Sequence, residues 1–170
     1  MNILGPASAP IPVAAYNLGP VHKRFVAEMF MPLWEAAERH GIDPVVMIAQ
    51  ALKETGRGNY SEKVPATFFN TCGLKIRDPS LAGPDQEATM AHAQFASWWM
   101  GAQAHAQHLV AYTQGDLGSW GEPLVDPRWV WVRKPDAAPV LTVEGLGGRW
   151  APSPTYGNEL AAICTRLRGA

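Results

Sequence analysis

The sequence predicts a mainly α-helical domain that carries a small β lobe. Four segments place apolar residues at the three- and four-residue spacing of a helix that has one buried face, and only two short runs suggest strands. The chain has 170 residues, 47% of them apolar and 17% charged, which is enough for one compact domain. A cleft between two lobes of unequal size is the natural ligand site in such an architecture.

The N-terminal part of the chain predicts a lead-in followed by a helix. Residues 1–20 are rich in Pro, Gly and Ala, so we expect an extended lead-in there and the domain itself over residues 21–170. The following helix, from His22 to His40, should be kinked or restarted at Pro32. Its apolar positions recur at helical spacing: Val26, Met29, Phe30, Leu33 and Ala37.

The stretch "GIDPVVMIAQALKETG" has the clearest helix signals. Asp43 is placed to cap the helix, Pro44 occupies its first position, and Gly56 follows its end. At about 100° per residue, one stripe faces the core, made of Val45, Ile48, Ala49 and Leu52. The opposite side holds Met47, Gln50 and Glu54, which places Glu54 at the rim of whatever this helix faces.

The second half of the chain predicts a hairpin and two further helices. "FFNTCGLKIRD" and "QEATMAHAQF" are joined by a Pro/Gly/Asp loop at residues 78–86, which favours a small hairpin. A helix should begin at Ser97, whereas residues 114–141 hold too many Gly and Pro for a long regular element. The last helix should be capped by Ser153 and bury one face: Tyr156, Leu160, Ile163 and Leu167.

Charge and composition exclude several classes of function. The net charge is −1 with no basic stripe, so nucleic acid is not an expected partner. No apolar run reaches the roughly 18 to 20 residues that span a bilayer, and the start lacks a basic n-region, so we expect neither an anchor nor a signal peptide. His105 and His108 lack a third ligand, so no metal or other cofactor is expected, and Cys72 and Cys164 should be buried thiols.

Glu54 is the residue with the most suggestive position. A carboxylate at a helix C-terminus meets the negative end of the helix dipole, and partial burial also disfavours its charge. Both effects make the side chain easier to protonate, which a general acid needs. The alternative is an ordinary solvated surface carboxylate.

Four blocks in order carry a family resemblance: "AQALKETGRGNY", "FNTCGLK", "AQFASW" and "GGRWAPSPTYG". Together they resemble the glucosaminidase group of peptidoglycan hydrolases, glycoside hydrolase family 73. The resemblance implies a lysozyme-like helical fold with a β-hairpin lobe that forms a substrate cleft. It also implies an endo-β-N-acetylglucosaminidase that cuts after N-acetylglucosamine in the glycan of peptidoglycan, with Glu54 as the catalytic acid.

Glycoside hydrolysis commonly uses a second carboxylate, for which Glu87 is our candidate and Asp85 the next. Glu87 could also be an ordinary loop acid, and the substrate's own acetamido oxygen could replace a protein nucleophile. Tyr156 matches a tyrosine that the family places in the cleft, where it could orient that acetamido group. Without the resemblance, Tyr156 would be interpreted as core packing.

Substrate contacts are expected from several other residues of the matched blocks. The resemblance implies that Asn70 shapes the turn beneath the acid, with Gly73 in that turn; without it, Asn70 would be an ordinary turn residue that supports Gly73. One of three tryptophans, Trp98, Trp99 or Trp150, should line the cleft, with Trp98 and Trp150 preferred. The family often has an aromatic residue where this chain has Arg57, and Tyr60 supplies one later.

Two other kinds of function remain open at this stage. A muramidase or lytic transglycosylase of lysozyme-like fold would cut the neighbouring bond, and a non-catalytic module would only bind glycan. The expected partner is the peptidoglycan glycan strand, bound by a monomer. The expected location is the bacterial cell wall, reached as a phage or prophage lysin or as a domain of a secreted protein.

Overall fold

The computed structural model describes residues 1–76, 89–113, 121–134 and 136–170. These ranges form a mainly helical domain, as the sequence predicted, with six α-helices: α1 (Ile11–Tyr16), α2 (Phe30–Arg39), α3 (Pro44–Glu54), α4 (Trp98–Thr113), α5 (Trp129–Val132) and α6 (Tyr156–Leu167). Short 3-10 turns occur at Ala66–Phe68, Thr89–Ala91 and Glu144–Leu146. No helix in the described ranges has the length and apolar character needed to cross a bilayer.

Helix α3 lies at the centre of the domain. It packs against α2 on one side and α6 on the other, while α2 also packs against α4. Asp43 caps its start by accepting a hydrogen bond from the Val45 N–H at 2.9 Å, and Pro44 is the first helical residue. The helix ends at Glu54, with Thr55 as the C-cap. These local signals place the ends of α3 as the sequence predicted.

The predicted core stripe of α3 is buried, but the opposite side of the helix is buried as well. Every residue from Pro44 to Leu52 is buried, and Met47 and Gln50 are 0% exposed. The side of α3 opposite the apolar stripe is buried because other parts of the domain also pack against it. Only the last turn, with Glu54, retains access to solvent.

The segment before α3 changes helix type where a break was predicted. A π-helical turn, Phe25–Met29, precedes α2, and Pro32 lies in the first turn of α2. Proline has no N–H to donate, so it fits the first turn of a helix better than its interior. Val26, predicted on the buried face, is 54% exposed, because the π turn rotates the register of the side chains.

The first twenty residues are more structured than an extended lead-in. They contain α1, and Ile3, Ala14 and Leu18 are buried in the core. The Asp43 N–H donates to the Ile3 carbonyl at 2.9 Å, which joins this segment to the start of α3. Apolar side chains in a Pro- and Gly-rich stretch therefore find partners that are distant in sequence.

The predicted hairpin region contains one antiparallel bridge, between Lys75 and His92. Hydrogen bonds flank it on both sides: the Ile76 N–H donates to Ala91 O and the Ala93 N–H donates to Leu74 O, each at 2.8 Å. The described ranges contain no longer strand here. The connecting residues 77–88 lie outside the described residues, as do residues 114–120.

Helices α4 and α6 begin close to their predicted positions. The Ser97 hydroxyl accepts from the Met100 N–H at 3.2 Å, which caps α4. Gly101 of α4 lies against the loop before Asn70, since a Cβ there would stand 1.8 Å from Phe69 O. Helix α6 begins at Tyr156 with Thr155 as its N-cap, two residues after the predicted start, and Cys164 joins its buried face.

Candidate active site

Glu54, the last residue of α3, lies where two cavities meet. Both cavities are also lined by Gly73. The larger, of about 350 Å³, we call the arginine cavity, and its further lining includes Lys75, His108, Tyr112, Arg128, Arg149 and Trp150. The smaller, of about 250 Å³, we call the tyrosine cavity, and its further lining includes Thr55, Tyr60, Ser61, Val64 and Asn70. The carboxyl group thus faces an open groove from within the helical core.

Tyr156 makes the shortest contact to this carboxyl group. Its hydroxyl donates to Glu54 Oε1 at 2.5 Å. Burial raises the pKa of Glu54 above its ordinary value, while hydrogen bonds from Tyr156 and Trp150 and the charge of Lys53 partly offset that rise in pKa. Glu54 is therefore easier to protonate than a free glutamate, as its place at the helix terminus suggested.

A buried chain of hydrogen bonds extends from Glu54 into the core. The Gln50 Nε2 donates to the Tyr156 hydroxyl at 3.0 Å, and the Gln50 Oε1 lies 3.1 Å from His105 Nε2. The other ring nitrogen, His105 Nδ1, lies 3.1 Å from the Thr71 hydroxyl. Gln50, His105 and Thr71 are each 0% exposed. These hydrogen bonds hold the Tyr156 side chain from its buried side and so fix its hydroxyl beside Glu54.

The hydrogen bonds from His105 through Gln50 and Tyr156 to Glu54 run in one direction. Because Gln50 presents its Nε2 to Tyr156, its Oε1 must accept from the Nε2–H of His105, which fixes the histidine tautomer. Burial lowers the pKa of His105 to about 3, so the ring is neutral. Burial raises the pKa of Tyr156, and the neighbouring Glu54 charge raises it further, so the phenol keeps its proton. His105, Gln50 and Tyr156 therefore each donate toward Glu54.

Comparison with known proteins identifies the family. The sequence model of the glucosaminidase family, described as mannosyl-glycoprotein endo-beta-N-acetylglucosaminidase, matches residues 32–169. This chain belongs to the glucosaminidase family. The match confirms the predicted class of enzyme, a glycoside hydrolase of the endo-β-N-acetylglucosaminidase type.

Two solved structures resemble this glucosaminidase. The glycoside hydrolase domain of FlgJ from Salmonella typhimurium is 17% identical with a TM-score of 0.51, over 86% of this chain and 88% of that one. The catalytic domain of the autolysin Auto from Listeria monocytogenes is 18% identical with a TM-score of 0.50, over 95% and 87%. At this identity the likeness concerns the fold. Among curated proteins, none matches the sequence significantly.

Asn70 and Gly73 form the turn beneath the acid in this glucosaminidase. The Asn70 Nδ2 donates to Leu74 O at 2.8 Å and to Ala93 O at 2.9 Å, and its Oδ1 accepts from the Leu74 N–H at 2.9 Å. Gly73 adopts a φ of 65°, which a residue with a side chain rarely takes. Both the amide nitrogen and the amide oxygen of Asn70 are hydrogen-bonded, and these bonds hold the turn in which Gly73 lines both cavities.

The structure separates the predicted aromatic residues. Trp150 lines the arginine cavity and Tyr60 the tyrosine cavity. Trp98 lines neither: it is 9% exposed, donates from Nε1 to Glu28 at 2.9 Å, and packs edge-on against Phe69. Trp99 is 47% exposed and also lies outside both cavities. Of the three tryptophans considered, Trp150 is the one beside Glu54.

Arg57, which departs from the family pattern, is directed away from the groove. Its guanidinium donates to the carbonyl groups of Leu18 and Pro20, so it holds the N-terminal segment against the end of α3. The backbone of Tyr60 then returns through a left-handed conformation, with φ of 62°. Tyr60 thereby supplies the aromatic wall that Arg57 does not.

Sequence reasoning missed several residues of the site. His108 lines the arginine cavity, and its Nδ1 lies 2.8 Å from Asp126 Oδ2. The three-residue spacing of His105 and His108 suggests metal binding alone, so it gives no signal for the contact between His108 and Asp126. In the part of the chain that the structure describes, no group of three His, Cys, Asp or Glu side chains is arranged to hold a metal ion.

Cys72 and Cys164 are both free and buried, as expected. The candidates for the second carboxylate, Asp85 and Glu87, lie outside the described residues.

Proposed function

We propose that this chain hydrolyses the β-1,4 bond that follows N-acetylglucosamine in peptidoglycan, with Glu54 as the general acid. The observation that carries the proposal is the place of Glu54, whose carboxyl lies at the junction of two cavities and has a pKa raised by burial. A protonated carboxyl in that position can donate to the glycosidic oxygen as the bond breaks. The family match supports the type of bond that is cut.

Tyr156 acts as a donor at this site in the proposed reaction. Its hydroxyl lies 2.5 Å from Glu54 Oε1, and Gln50 holds it from the buried side. Once Glu54 has given up its proton, the Tyr156 hydroxyl stabilises the resulting carboxylate. Trp150, in the arginine cavity, offers an aromatic surface on which the face of a sugar ring can stack.

Two mechanisms are proposed for stabilising the sugar cation that forms as the bond breaks. In one, Glu87 supplies the second carboxylate. In the other, the acetamido oxygen of the substrate attacks the anomeric carbon and no protein nucleophile is needed. Neither mechanism requires a metal or an organic cofactor, because proton transfer and attack both come from carboxyl or amide groups.

A small β lobe forms the other wall of the cleft in this proposal, as in a lysozyme-like fold. The antiparallel bridge between Lys75 and His92 supports it, since it lies next to the Gly73 turn, which lines both cavities. The enzyme acts at the bacterial cell wall, where its polymer lies, and works as a monomer.

Analysis of the cleavage products tests the proposed function. Purified peptidoglycan is digested with the full chain, and the fragments are reduced and examined by mass spectrometry. Reduced N-acetylglucosamine at the new chain ends is the expected result. Ends of reduced or anhydro N-acetylmuramic acid would instead identify a muramidase or a lytic transglycosylase. The absence of new ends, with glycan still bound, would identify a binding module.

A further inference from the structure

The two cavities at Glu54 differ sharply in charge. The arginine cavity is lined by three cationic side chains, Lys75, Arg128 and Arg149. Among the described residues, the tyrosine cavity is lined by no cation at all. In the part of the chain that the structure describes, Glu54 is the one carboxylate that lines either cavity. A bound polymer would therefore meet positive charge on one side of Glu54 and not on the other.

Arg128 and Arg149 lie close to the same wall of the arginine cavity. Burial raises the pKa of Tyr112, and the charges of Arg128 and Arg149 both act to lower it, so both guanidinium groups are near this phenol. The Tyr112 hydroxyl donates to Arg149 O at 3.0 Å, which ties the two chain segments together. Positive charge is thus gathered at one place although the net charge of the chain is −1.

The carboxylate of the nearby acid, Asp126, is bonded to groups other than the two guanidinium groups. Its Oδ2 lies 2.8 Å from His108 Nδ1, and its Oδ1 accepts from the backbone N–H of Arg128 at 2.8 Å. Its side chain is fully buried beside His108. Within the ranges that the structure describes, no carboxylate forms an ion pair with the guanidinium of Arg128 or Arg149. These two groups can therefore bind an anion that enters from solvent.

We propose that the arginine cavity binds a carboxylate of N-acetylmuramic acid, next to the bond that Glu54 cleaves. This inference rests on the proposed function. N-acetylmuramic acid differs from N-acetylglucosamine by a lactyl group, and the carboxyl of that group is either free or joined to a stem peptide that carries carboxylates of its own. Guanidinium groups bind carboxylates through paired hydrogen bonds, so two arginines in one cavity suit this ligand.

The proposed site makes the enzyme selective for an alternating polymer. A sugar with a carboxylate occupies the arginine cavity, beside the aromatic rings of Tyr112 and Trp150. A polymer of N-acetylglucosamine alone would place no anion there and would leave the two guanidinium groups unpaired. Selectivity would then come from the charge on the sugar in the arginine cavity and not from the proton transfer by Glu54.

The test compares charged and neutralised forms of one substrate. Peptide-free glycan strands, the same strands after conversion of their carboxyl groups to amides, and peptide-bearing strands are each digested, and new reducing ends are counted to give KM and kcat. The variants are Arg128→Gln, Arg149→Gln and the double variant. Arg166→Gln is the matched control, since this arginine is exposed on α6 and lines neither cavity. Circular dichroism verifies that each variant is folded.

The wild-type enzyme should have a lower KM for charged strands than for amidated ones. Each arginine substitution should raise the KM for charged strands by roughly three- to tenfold, since the contacts are charge-assisted but partly exposed to solvent. Added salt should raise the same KM, and Arg166→Gln should behave as the wild type. Arg149 is exposed, so the Arg149→Gln variant should fold and should still test the inference even if a change at Arg128 disturbs folding.

The substrates also identify the source of the carboxylate. An arginine effect on peptide-free strands assigns the lactyl carboxylate, and an effect only on peptide-bearing strands assigns the stem peptide. Equal KM values for charged and amidated strands, together with no arginine effect on peptide-bearing strands, would overturn the inference, as would a preference that survives in the double variant. Failure of the proposed function is a separate result, because the wild-type enzyme would then release no N-acetylglucosamine ends from any of these substrates.

Discussion

Replacing Glu54 with glutamine removes the proposed proton donor and preserves the size of the side chain. A general acid contributes roughly 10²- to 10⁴-fold to the rate, so Glu54→Gln should lower the rate of cell-wall clearing by about that factor. The two cavities and the Gly73 turn should remain in place, because none of their other lining residues is changed. The loss should therefore appear in kcat, with substrate binding retained.

The same substitution should have little effect on folding. The Tyr156 hydroxyl, now 2.5 Å from Glu54 Oε1, can donate to an amide oxygen in the same position. A hydrogen bond to a charged acceptor becomes one to a neutral acceptor, a loss of about 1 kcal/mol, and the cost of burying a charge is removed at the same time. For a domain of this length, 1 kcal/mol corresponds to roughly 2–4 °C in Tm. The Tm should stay within a few degrees of the wild-type value.

The effect on stability should also depend on pH. The pKa of Glu54 is raised in the fold by burial, so the folded state binds its proton more tightly than the unfolded state does. This contribution to the free energy of unfolding is complete below the ordinary pKa of 4.5 and is lost as the pH rises through the raised value. Glutamine does not titrate. Relative to the wild type, Glu54→Gln should therefore gain stability as the pH is raised toward neutrality.

Turbidity clearing of purified cell walls and thermal melts followed by circular dichroism measure both effects. Glu38→Gln is a suitable control, because Glu38 is exposed on α2 and accepts a hydrogen bond from Trp34 that glutamine can also accept. The control should clear walls at the wild-type rate. If Glu54→Gln also clears walls at that rate while folded, Glu54 is not the acid.

Three further substitutions have definite expected outcomes. Tyr156→Phe removes a hydrogen bond that lowers the pKa of Glu54, so that pKa should rise and the alkaline limb of the kcat/KM profile should move to higher pH; an unshifted limb would contradict this. The same change leaves the buried Gln50 Nε2 without its acceptor and should cost about 1–3 kcal/mol of stability. The pKa of His105 is lowered to about 3 from 6.5, so its contribution to the free energy of unfolding is complete above pH 6.5 and is lost as the pH falls toward 3. In His105→Gln, chemical denaturation should show a weaker loss of stability between pH 6.5 and 3. An unchanged dependence of stability on pH would exclude His105 as the source of that loss. Glu87→Gln should abolish activity if Glu87 is the nucleophile or base, and more than a tenth of the wild-type rate would favour attack by the substrate's acetamido group.

Local sequence signals predicted the helix that carries Glu54. Asp43, Pro44 and Gly56 define the two ends of α3 through capping and backbone geometry, which depend on residues only a few positions apart. The placement of Glu54 in the last turn follows from those ends alone. The predicted ease of protonation is likewise confirmed, with burial as its largest cause.

The environment of that helix could not be predicted in the same way. The pattern of apolar residues indicates one buried face, but a polar residue such as Gln50 on a second buried face gives no such signal. Gln50 meets His105 and Tyr156, which lie 55 and 106 positions away, so the hydrogen-bond chain exists only after the helices have packed. The burial of Ile3 in a Pro- and Gly-rich segment has the same origin. The role of Glu87 stays a prediction.

A crystal structure of Glu54→Gln bound to an oligosaccharide of alternating N-acetylglucosamine and N-acetylmuramic acid would show which glycosidic bond lies beside the side chain at position 54. The side chain at position 54 should lie about 3 Å from the oxygen between N-acetylglucosamine and the following N-acetylmuramic acid, within hydrogen-bond reach. A bound glycan whose oxygen atoms are all far from that side chain would contradict the assignment of Glu54 as the proton donor.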